Sequence, residues 1–331
     1  MKTEGTILLK RKEVAALLGL GECIAAVEQA FGLHGEGKTL PPGILGMHFQ
    51  EGAFHIKAAE LHLSRPYFAV KTNGNFFQNM KRFGMPNIQG VIILCDADNG
   101  YPLAVMDSIE ITITRTGAAT AVAAKHLARP DSKIVTICGC GNQGRVQLRA
   151  LAQVLGLERA YAFDNDEGVA RRYADDLSAE LRIDVKAVRD LGGAVGESDI
   201  CVTCTPSKQH FLSREYVAPG TFIAAVGADG ADKQELDPRL MASGKVVADI
   251  LDQCATIGDL HHAIEAGLVT RADVYAELGE VVAGKKPGRE SRDETIIFDS
   301  TGTALQDVAA AAIVYEKAAS NGIGLKIDFS E

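Results

Sequence analysis

The stretch from Lys133 to Asp164 reads KIVTICGCGNQGRVQLRALAQVLGLERAYAFD. It begins with a short apolar, β-branched run that ends at Cys138 and predicts a strand buried on both faces. The glycine-rich turn GCGNQG follows at once, and the residues after it show the apolar spacing of a helix. A second apolar run, 160–163, leads directly into Asp164. The order of strand, glycine turn, helix, strand and acid is typical of a dinucleotide-binding βαβ unit.

The glycines and the acid of this stretch each have a physical role in such a unit. Gly139 allows the tight turn, Gly141 lets the backbone approach a pyrophosphate, and Gly144 lets the helix pack on the strand. The helix N-terminus offers free N–H groups to the phosphates. At the end of the second strand, the Asp164 carboxylate can accept hydrogen bonds from the adenosine ribose and would repel a 2′-phosphate. The stretch therefore predicts a nicotinamide-dinucleotide site that prefers NAD to NADP.

Length and composition restrict the remaining possibilities. The 331 residues exceed what one core usually contains, so two domains are expected. The chain has 34 basic and 43 acidic residues and no basic run, which disfavours nucleic acid and anionic membrane as partners. No apolar run is long enough to span a bilayer, and the N-terminus lacks the apolar core of a signal peptide. A cytoplasmic protein is therefore expected.

The cysteines and histidines indicate neither a disulfide framework nor a metal. The seven cysteines are odd in number and scattered. Cys201 and Cys204 have the spacing of a redox pair, but they fall in a predicted strand, where an offset of three places them on opposite faces. Both are interpreted as core thiols. Only His261 and His262 are adjacent, and neighbours on a helix face different ways, so no metal site is predicted.

The rest of the chain indicates an α/β fold. Helices and strands continue to alternate after the glycine-turn unit, with strand-like apolar runs at 184–188, 199–204, 221–226 and 245–250. This succession predicts a Rossmann-type doubly wound parallel sheet, preceded by a smaller α+β domain. The final Ala-rich helix has an apolar face that needs a partner and is expected to return to the first domain. The predicted domains are 1–116 with 304–331, and 117–303.

One strand of the first domain carries basic side chains on a single face. In the predicted strand 53–61, Phe54 and Ile56 share one face, which is expected to be core. His55 and Lys57 share the other face, which is either solvated or lines a cleft.

Three charged residues each allow two interpretations. Lys71 ends the predicted strand 67–72, whose faces are both largely apolar, so cover on both sides is expected. A strand-end lysine usually reaches solvent, and the alternative is a desolvated lysine with a lowered pKa that serves as an acid or base. Arg115 is predicted in the first turn of a helix that begins at Thr114, where it indicates a nearby anion or is a simple surface residue. Asp229, in a glycine-flanked turn beyond a sheet strand, is either a turn residue or a functional carboxylate.

Several sequence blocks together resemble the ornithine cyclodeaminase/μ-crystallin family, and the resemblance runs over nearly the whole chain. Jointly these blocks are highly specific, and several are most similar to the alanine dehydrogenase branch. They are VKTNGN at 70–75, GYPLAVMDS at 100–108, TRTGAATAVAAKHLAR at 114–129, GCGNQGRVQLRAL at 139–151, VTCTPS at 202–207, VGADGADKQELD at 226–237, ELGEVVAGKKPGR at 277–289 and FDSTGTALQDVA at 298–309.

The resemblance implies a homodimer in which the N-terminal part and the C-terminal helix form the substrate-binding and dimerisation domain. It implies Lys71 as the catalytic lysine, Asp229 as the acid/base aspartate of the cyclodeaminases and a substrate contact at Thr301. Arg115 and Thr116 match residues that contact the cofactor phosphates or the substrate. The other matched cofactor contacts are Asn142, Gln143, Asp164, Thr205, Lys233 and Ser300.

One departure from the family concerns the carboxylate of the substrate. The family usually has an arginine on the strand at 53–61 to hold this group. Here the aligned position is His55, with Lys57 two residues on and on the same face. The carboxylate is therefore expected to bind Lys57, Arg115 or both.

The resemblance and the dinucleotide site together predict an NAD-dependent oxidoreductase of a small amino or imino acid, similar to alanine dehydrogenase or a ketimine reductase. The alternative is an ammonia lyase of the ornithine cyclodeaminase type, which uses NAD without net oxidation. A third possibility is a non-catalytic NAD-binding protein of the crystallin type. The retention of Lys71 and Asp229 argues against it, because a pure binder needs neither.

Overall fold

The chain divides into two compact units. The computed structural model describes residues 5–329. Unit 1 comprises Met1–Arg115 and Thr303–Glu331, and unit 2 comprises Thr116–Gly302. These boundaries lie within one residue of those expected from the sequence. The chain thus leaves unit 1 once, builds unit 2 and returns for its last helix.

Strands and helices follow one another closely along the described residues. The strands are β1 Thr6–Leu9, β2 Gly43–Phe49, β3 Gly52–His62, β4 Pro66–Asn75, β5 Ile88–Asp96, β6 Pro102–Asp107, β7 Ile134–Cys138, β8 Arg159–Phe163, β9 Asp184–Ala187, β10 Ile200–Thr203, β11 Lys208–Leu212, β12 Phe222–Ala225, β13 Gln234–Leu236, β14 Lys245–Ala248, β15 Ala276–Glu277, β16 Ile296–Asp299 and β17 Leu325–Ile327. The α-helices are α1 Arg11–Leu17, α2 Leu20–Gly35, α3 Asn79–Phe83, α4 Ile109–Leu127, α5 Asn142–Val154, α6 Glu167–Leu181, α7 Leu191–Gly196, α8 Pro238–Ser243, α9 Leu251–Ile257, α10 Asp259–Glu265, α11 Leu278–Val282 and α12 Ala304–Asn321.

Unit 2 is built on an all-parallel sheet with the strand order β15-β14-β16-β12-β10-β7-β8-β9. The chain enters the sheet at β7, winds outward through β8 to β9, and then continues on the other side of β7 with β10. The direction in which successive strands are added to the sheet therefore reverses between β7 and β10. Ligands of such folds bind beyond the carboxyl ends of the strands at this point. The Rossmann-type parallel sheet predicted from the sequence is confirmed.

Unit 1 contains a mixed sheet with the strand order β17-β1-β6-β5-β4-β3-β2. It includes hairpins, because β2 pairs antiparallel with β3 and β5 pairs antiparallel with β6. Helix α12 packs on one face of this sheet, against β3 and β4, and α2 packs on α12. The return of the last helix to the first domain is therefore observed.

The burial of β3 and β4 differs from the prediction. Phe54 and Ile56 were expected to be core, but they lie on the face away from α12, where Phe54 is 37% exposed. Phe68 on β4 is exposed on the same side, so β4 is covered on one face of this chain rather than two. Lys57 and Lys71 are buried on the other face. The alternation of side chains along a strand shows which residues share a face, but it does not show which face a distant helix covers.

Helix α4 begins earlier than predicted. It starts at Ile109 instead of Thr114, so Arg115 lies in the helix interior and not in the first turn. The helix dipole therefore gives no indication of an anion near Arg115, because its effect is confined to the first and last turns.

Strand β4 is longer than predicted. It continues to Asn75, so Lys71 does not lie at a fraying end, and the interpretation of Lys71 as a solvated lysine is wrong. Residues 73–84 complete β4 and then form α3. Their Gly/Asn-rich composition favours loops. Here the strands on both sides supply ladder partners, because Asn73 lies opposite His55 in β3 and Gly90 in β5.

Helices α1 and α2 follow each other along the chain and are bent relative to each other by 82°. Their side chains Val14, Val27 and Phe31 are completely buried. Among residues 5–329, no single helix is both long and apolar enough to cross a membrane. Only the bent pair of α1 and α2, taken together, meets that criterion of length and composition.

Candidate active site

The glycine turn between β7 and α5 has the geometry that its glycines were predicted to provide. Gly139 has a φ of +100°, a conformation that residues with a Cβ rarely adopt. A Cβ on Gly144 would lie 2.0 Å from the carbonyl oxygen of Gly139, so α5 packs this closely only with glycine there. Gly141 is the N-cap of α5 and faces open space, with no atom within 4 Å of a Cβ position. The turn can therefore receive an anion at the N-terminus of α5.

A cleft of about 520 Å³ lies beside this turn, at the carboxyl edge of the sheet. Asp164 lines it, and its carboxylate accepts hydrogen bonds from the N–H groups of Cys140 and Asp166, both at 2.9 Å. Cys204 was expected to be a core thiol but also lines the cleft, since it follows the end of β10, whereas Cys201 is fully buried. The lining further includes Gly139, Gly141, Phe163, Asn165, Thr205 and Phe211.

Two predicted residues of unit 2 form an ion pair. The Nζ of Lys233 donates a hydrogen bond to Oδ1 of Asp229 at 2.5 Å. Asn142 and Gln143 are the first two residues of α5, directly after Gly141, and Thr116 is buried in α4. The described residues that line the cleft do not include Lys233, Asn142 or Gln143.

Three other predicted residues are bound to buried carboxylates. Both the N–H and the hydroxyl of Thr205 donate to Oε1 of Glu235, at 2.6 and 2.7 Å. The hydroxyls of Ser300 and Thr301 lie 3.2 and 3.3 Å from the carboxylate of Asp249. Glu235 and Asp249 are fully buried, so these bonds satisfy charges that would otherwise be costly to remove from water.

Unit 1 contains a buried group of four charged side chains, Lys57, Lys71, Arg115 and Asp307, which we call the lysine cluster. None of the four is more than 6% exposed. The Nζ of Lys71 lies 2.8 Å from each carboxylate oxygen of Asp307 and donates a hydrogen bond to Oδ1. Arg115 places its Nε 3.2 Å from the same Oδ1, and its Nη1 donates to Oε1 of Gln306 at 2.7 Å. Lys57 lies opposite Lys71 in the register of β3 and β4.

The lysine cluster changes the acidity of its members. Burial lowers the pKa of Lys71 to about 7; Asp307 opposes this shift, while the charges of Arg115 and Lys57 add to it. Burial by itself raises the pKa of Asp307, but attraction to Lys71 and Arg115 outweighs this and holds that pKa below its ordinary value. Asp307 is therefore ionised near neutral pH, where Lys71 can either hold or release its proton.

His55 lies on the strand face that carries Lys57. It is partly exposed, and its ring meets that of His48 edge to face, with centroids 6.3 Å apart. Its predicted contact with a substrate remains a prediction, as does that of Lys57.

Asp307 and Glu235 were not among the site residues predicted from the sequence. Asp307 lies in the first turn of α12, which is Ala-rich and buried on nearly all sides. A carboxylate in such a helix needs a cationic partner, and this was the available signal. Glu235 lies within the block VGADGADKQELD, but nothing in its spacing shows that it is buried.

His261 and His262 do not diverge as predicted. Their ring centroids are 5.0 Å apart, so the two rings lie next to each other although the residues are neighbours on a helix. The Nε2 of His262 lies 2.7 Å from the carbonyl oxygen of Lys233, and the Nε2 of His261 lies 3.4 Å from the carboxylate of Glu265. The expectation that the chain has no metal site remains a prediction.

These features define a class of protein: an enzyme with a Rossmann-type dinucleotide-binding unit and a second unit that carries a buried lysine. The model of the ornithine cyclodeaminase/mu-crystallin family matches residues 4–322. The alanine dehydrogenase of Archaeoglobus fulgidus is 40% identical to this chain over 329 residues, which cover 98% of both proteins. The chain belongs to the ornithine cyclodeaminase/mu-crystallin family, as its sequence blocks indicated.

Two solved structures are similar over their whole length. An archaeal alanine dehydrogenase dimer with bound NAD has a TM-score of 0.93 and 39% sequence identity, covering 98% of this chain and 99% of that chain. The Δ(1)-pyrroline-2-carboxylate reductase of Thermococcus litoralis, in complex with NADH and L-proline, has a TM-score of 0.92 and 34% identity. The match covers 97% of this chain and 100% of the reductase chain.

We expect the substitution Asp307→Asn to lower the free energy of unfolding by about 3–5 kcal/mol, because it leaves buried cations without their counter-charge. Urea unfolding at pH 7 measures this loss. The control is Glu22→Gln, which removes an exposed partner of Lys317 and should cost no more than about 1 kcal/mol. Equal losses for the two variants would contradict the role assigned to Asp307.

Proposed function

We propose that the protein is an NAD-dependent oxidoreductase that interconverts a small amino acid and the corresponding imino or keto acid. The observation that carries this proposal is Lys71, a buried lysine whose pKa is lowered to about 7 and which can exchange a proton at neutral pH. The similar structures support the cofactor and the class of substrate. The archaeal alanine dehydrogenase has NAD bound, and the T. litoralis reductase has NADH and L-proline bound.

The residues of unit 2 fit NAD. The open space at Gly141 and the N-terminus of α5 would receive the pyrophosphate, and Asp164 would bind the adenosine ribose and disfavour the 2′-phosphate of NADP. When bound, NAD supplies the chemistry of hydride transfer. The further cofactor contacts that we propose are Gly139, Gly144, Arg115, Thr116, Asn142, Gln143, Thr205, Lys233 and Ser300.

The lysine cluster fits the substrate's charge and its proton transfer. Lys71 would accept or donate the proton at the substrate nitrogen or at an added water, with its Nζ held by Asp307. Three cationic side chains face one carboxylate in this cluster, and the excess positive charge favours a substrate carboxylate at Lys57 or Arg115. His55 and Thr301 are further proposed substrate contacts. Asp229 would position water or stabilise a cationic imine.

The proposal is tested by incubating the protein with NAD and, separately, with L-alanine, L-proline or L-ornithine, while NADH absorbance and released ammonia are followed. We expect NADH to form with at least one of these amino acids. NADP in place of NAD should react more slowly, because Asp164 repels the 2′-phosphate. Ammonia without NADH would instead identify a cyclodeaminase. No product with any substrate, although NAD binds, would identify a non-catalytic binding protein.

The two buried lysines are expected to respond differently to substitution. Lys71→Ala should abolish turnover and leave NAD affinity unchanged in calorimetry, because the proposed role of Lys71 is proton transfer. Lys57→Ala should raise KM about 10- to 150-fold, since a charge-assisted hydrogen bond contributes about 1.5–3 kcal/mol. Unchanged KM and kcat in Lys57→Ala would leave Arg115 as the partner of the carboxylate.

In the wild type, amino-acid oxidation should increase as the pH rises through the Lys71 pKa of about 7, because the neutral amine is the base.

We also propose that the protein is a homodimer formed through the sheet of unit 1. The face of this sheet away from α12 carries an apolar patch that crosses β2, β3, β4 and β5. Patches of this kind on an isolated chain mark protein interfaces. The similar archaeal alanine dehydrogenase is a dimer. The patch consists of Leu45, Met47, Phe54, Phe68, Val91 and Ile93, each at least 36% exposed.

Light scattering at micromolar concentration is expected to give twice the mass of one chain. Phe68→Lys should shift the protein toward the monomer, because it places a charge in the apolar patch. The matched control is Leu268→Lys, which changes an exposed apolar residue of unit 2 and should leave the mass unchanged. A monomeric wild type would count against the dimer.

The cysteines support a proposed cytoplasmic location. All seven are free thiols, and free thiols persist in a reducing compartment. Burial raises the pKa of the Cys23 and Cys140 thiols to about 12, so these two are unreactive.

A further inference from the structure

Glu235 connects two loops that follow neighbouring strands. It lies on β13 and is fully buried. Its Oε1 accepts hydrogen bonds from the N–H and the hydroxyl of Thr205, which follows β10. Its Oε2 accepts a hydrogen bond from the N–H of Gly227, which follows β12, at 2.9 Å. Strands β10 and β12 are paired side by side, so one carboxylate holds the chain at the carboxyl ends of both.

The first of these loops forms part of the wall of the dinucleotide cleft. Thr205 lines the cleft, together with Pro206 and Ser207. The loop also packs on the glycine turn, since a Cβ on Gly139 would lie 2.9 Å from the carbonyl oxygen of Cys204. The position of Thr205 therefore determines how much room remains beside the turn that would hold the pyrophosphate.

Glu235 is held in place by a second carboxylate. Oδ1 of Asp259 accepts the N–H groups of Glu235 and Leu236, at 2.8 and 2.9 Å. Asp299 in turn accepts the N–H groups of Asp259 and Leu260. The titratable groups that face Glu235 or Asp259 come from several elements; they are Asp259, Asp299, Lys233, His210, His262 and the thiols of Cys138 and Cys204.

We infer that Glu235 is a positioning residue for the cofactor: its ionised carboxylate ties the Thr205 loop to Gly227 and holds the wall of the cleft in its binding shape. The inference rests on the proposed NAD dependence. Glu235 is not among the described residues that line the cleft, so it acts through Thr205 and Gly227.

Protonation of Glu235 should weaken this arrangement. Burial, together with the charge of Asp259, raises the pKa of Glu235 to about 7. A protonated carboxyl has one oxygen that carries the proton and accepts hydrogen bonds more weakly, so the tie to one of the two loops loosens and NAD affinity is expected to fall as the pH drops through 7. The folded protein also takes up this proton above the ordinary carboxyl pKa, so the free energy of unfolding, relative to Glu235→Gln, rises as the pH falls. Affinity and stability thus change in opposite directions.

The experiment measures NAD affinity by calorimetry at pH 8 and pH 6. At pH 8, Glu235→Gln should bind NAD about 10-fold more weakly than the wild type, because an amide can accept from only one of the two loops. The wild type should lose affinity between pH 8 and pH 6, and the variant should lose much less. Gly227→Ala keeps the charge but places a Cβ 2.4 Å from the carboxylate, so it should also weaken binding.

The matched control is Asp199→Asn. Asp199 accepts the N–H groups of Lys133 and Ile134 at the amino end of the same sheet, away from the cleft. It should lower stability and leave NAD affinity unchanged. The inference is overturned if Glu235→Gln binds NAD as the wild type does, or if Asp199→Asn loses affinity equally.

Hydrogen exchange without cofactor separates this inference from the proposed function. The amides of Thr205 and Gly227 should exchange faster in Glu235→Gln than in the wild type. If the wild type does not bind NAD, the proposed function fails, and exchange still decides whether Glu235 ties the loops. Unchanged exchange at both amides would overturn the inference.

Discussion

The ion pair between Lys71 and Asp307 joins β4 to α12 across a sequence separation of 236 positions. A buried ion pair is weak evidence for stability, because well-packed apolar residues of similar size often do as well. The same pair has a clear chemical consequence, since burial brings the pKa of Lys71 to about 7 while Asp307 stays ionised. The packing of the last helix of unit 1 on its sheet is therefore tied to a lysine that can transfer protons.

Unit 2 uses buried carboxylates for a different purpose. Its parallel strands all end at one edge, where the chain must turn irregularly and leave backbone N–H groups that need acceptors. Glu235, Asp249, Asp259 and Asp299 accept such groups while lying out of contact with solvent. Side-chain acceptors allow loops whose shape a regular ladder could not produce. The cost is a set of like charges close together, and burial with mutual repulsion raises the pKa of Asp299 well above its ordinary value.

The predictions that succeeded concern features encoded within a short stretch. The glycine turn, the helix after it and Asp164 all lie within 133–164, and each depends on backbone geometry or on order along the chain. The failed predictions for β3 and β4 depend on distant parts of the chain, whereas the start of α4 and the orientation of the His261 and His262 rings were misjudged locally. The outward face of β3 was predicted to be core, but α12 covers the opposite face. The start of α4 was predicted at Thr114, five residues after the observed start at Ile109.

The sequence by itself determined the Rossmann-type sheet, the dinucleotide motif and the family, because glycine conformation, strand periodicity and motif spacing are local properties. It also placed Lys57 and Lys71 on two strands that follow one another along the chain. Only the tertiary structure decided that Lys71 is desolvated and that Asp307 is its counter-ion. A pKa depends on the solvent and charges within a few ångströms, and folding brings those groups together from positions that no sequence spacing connects.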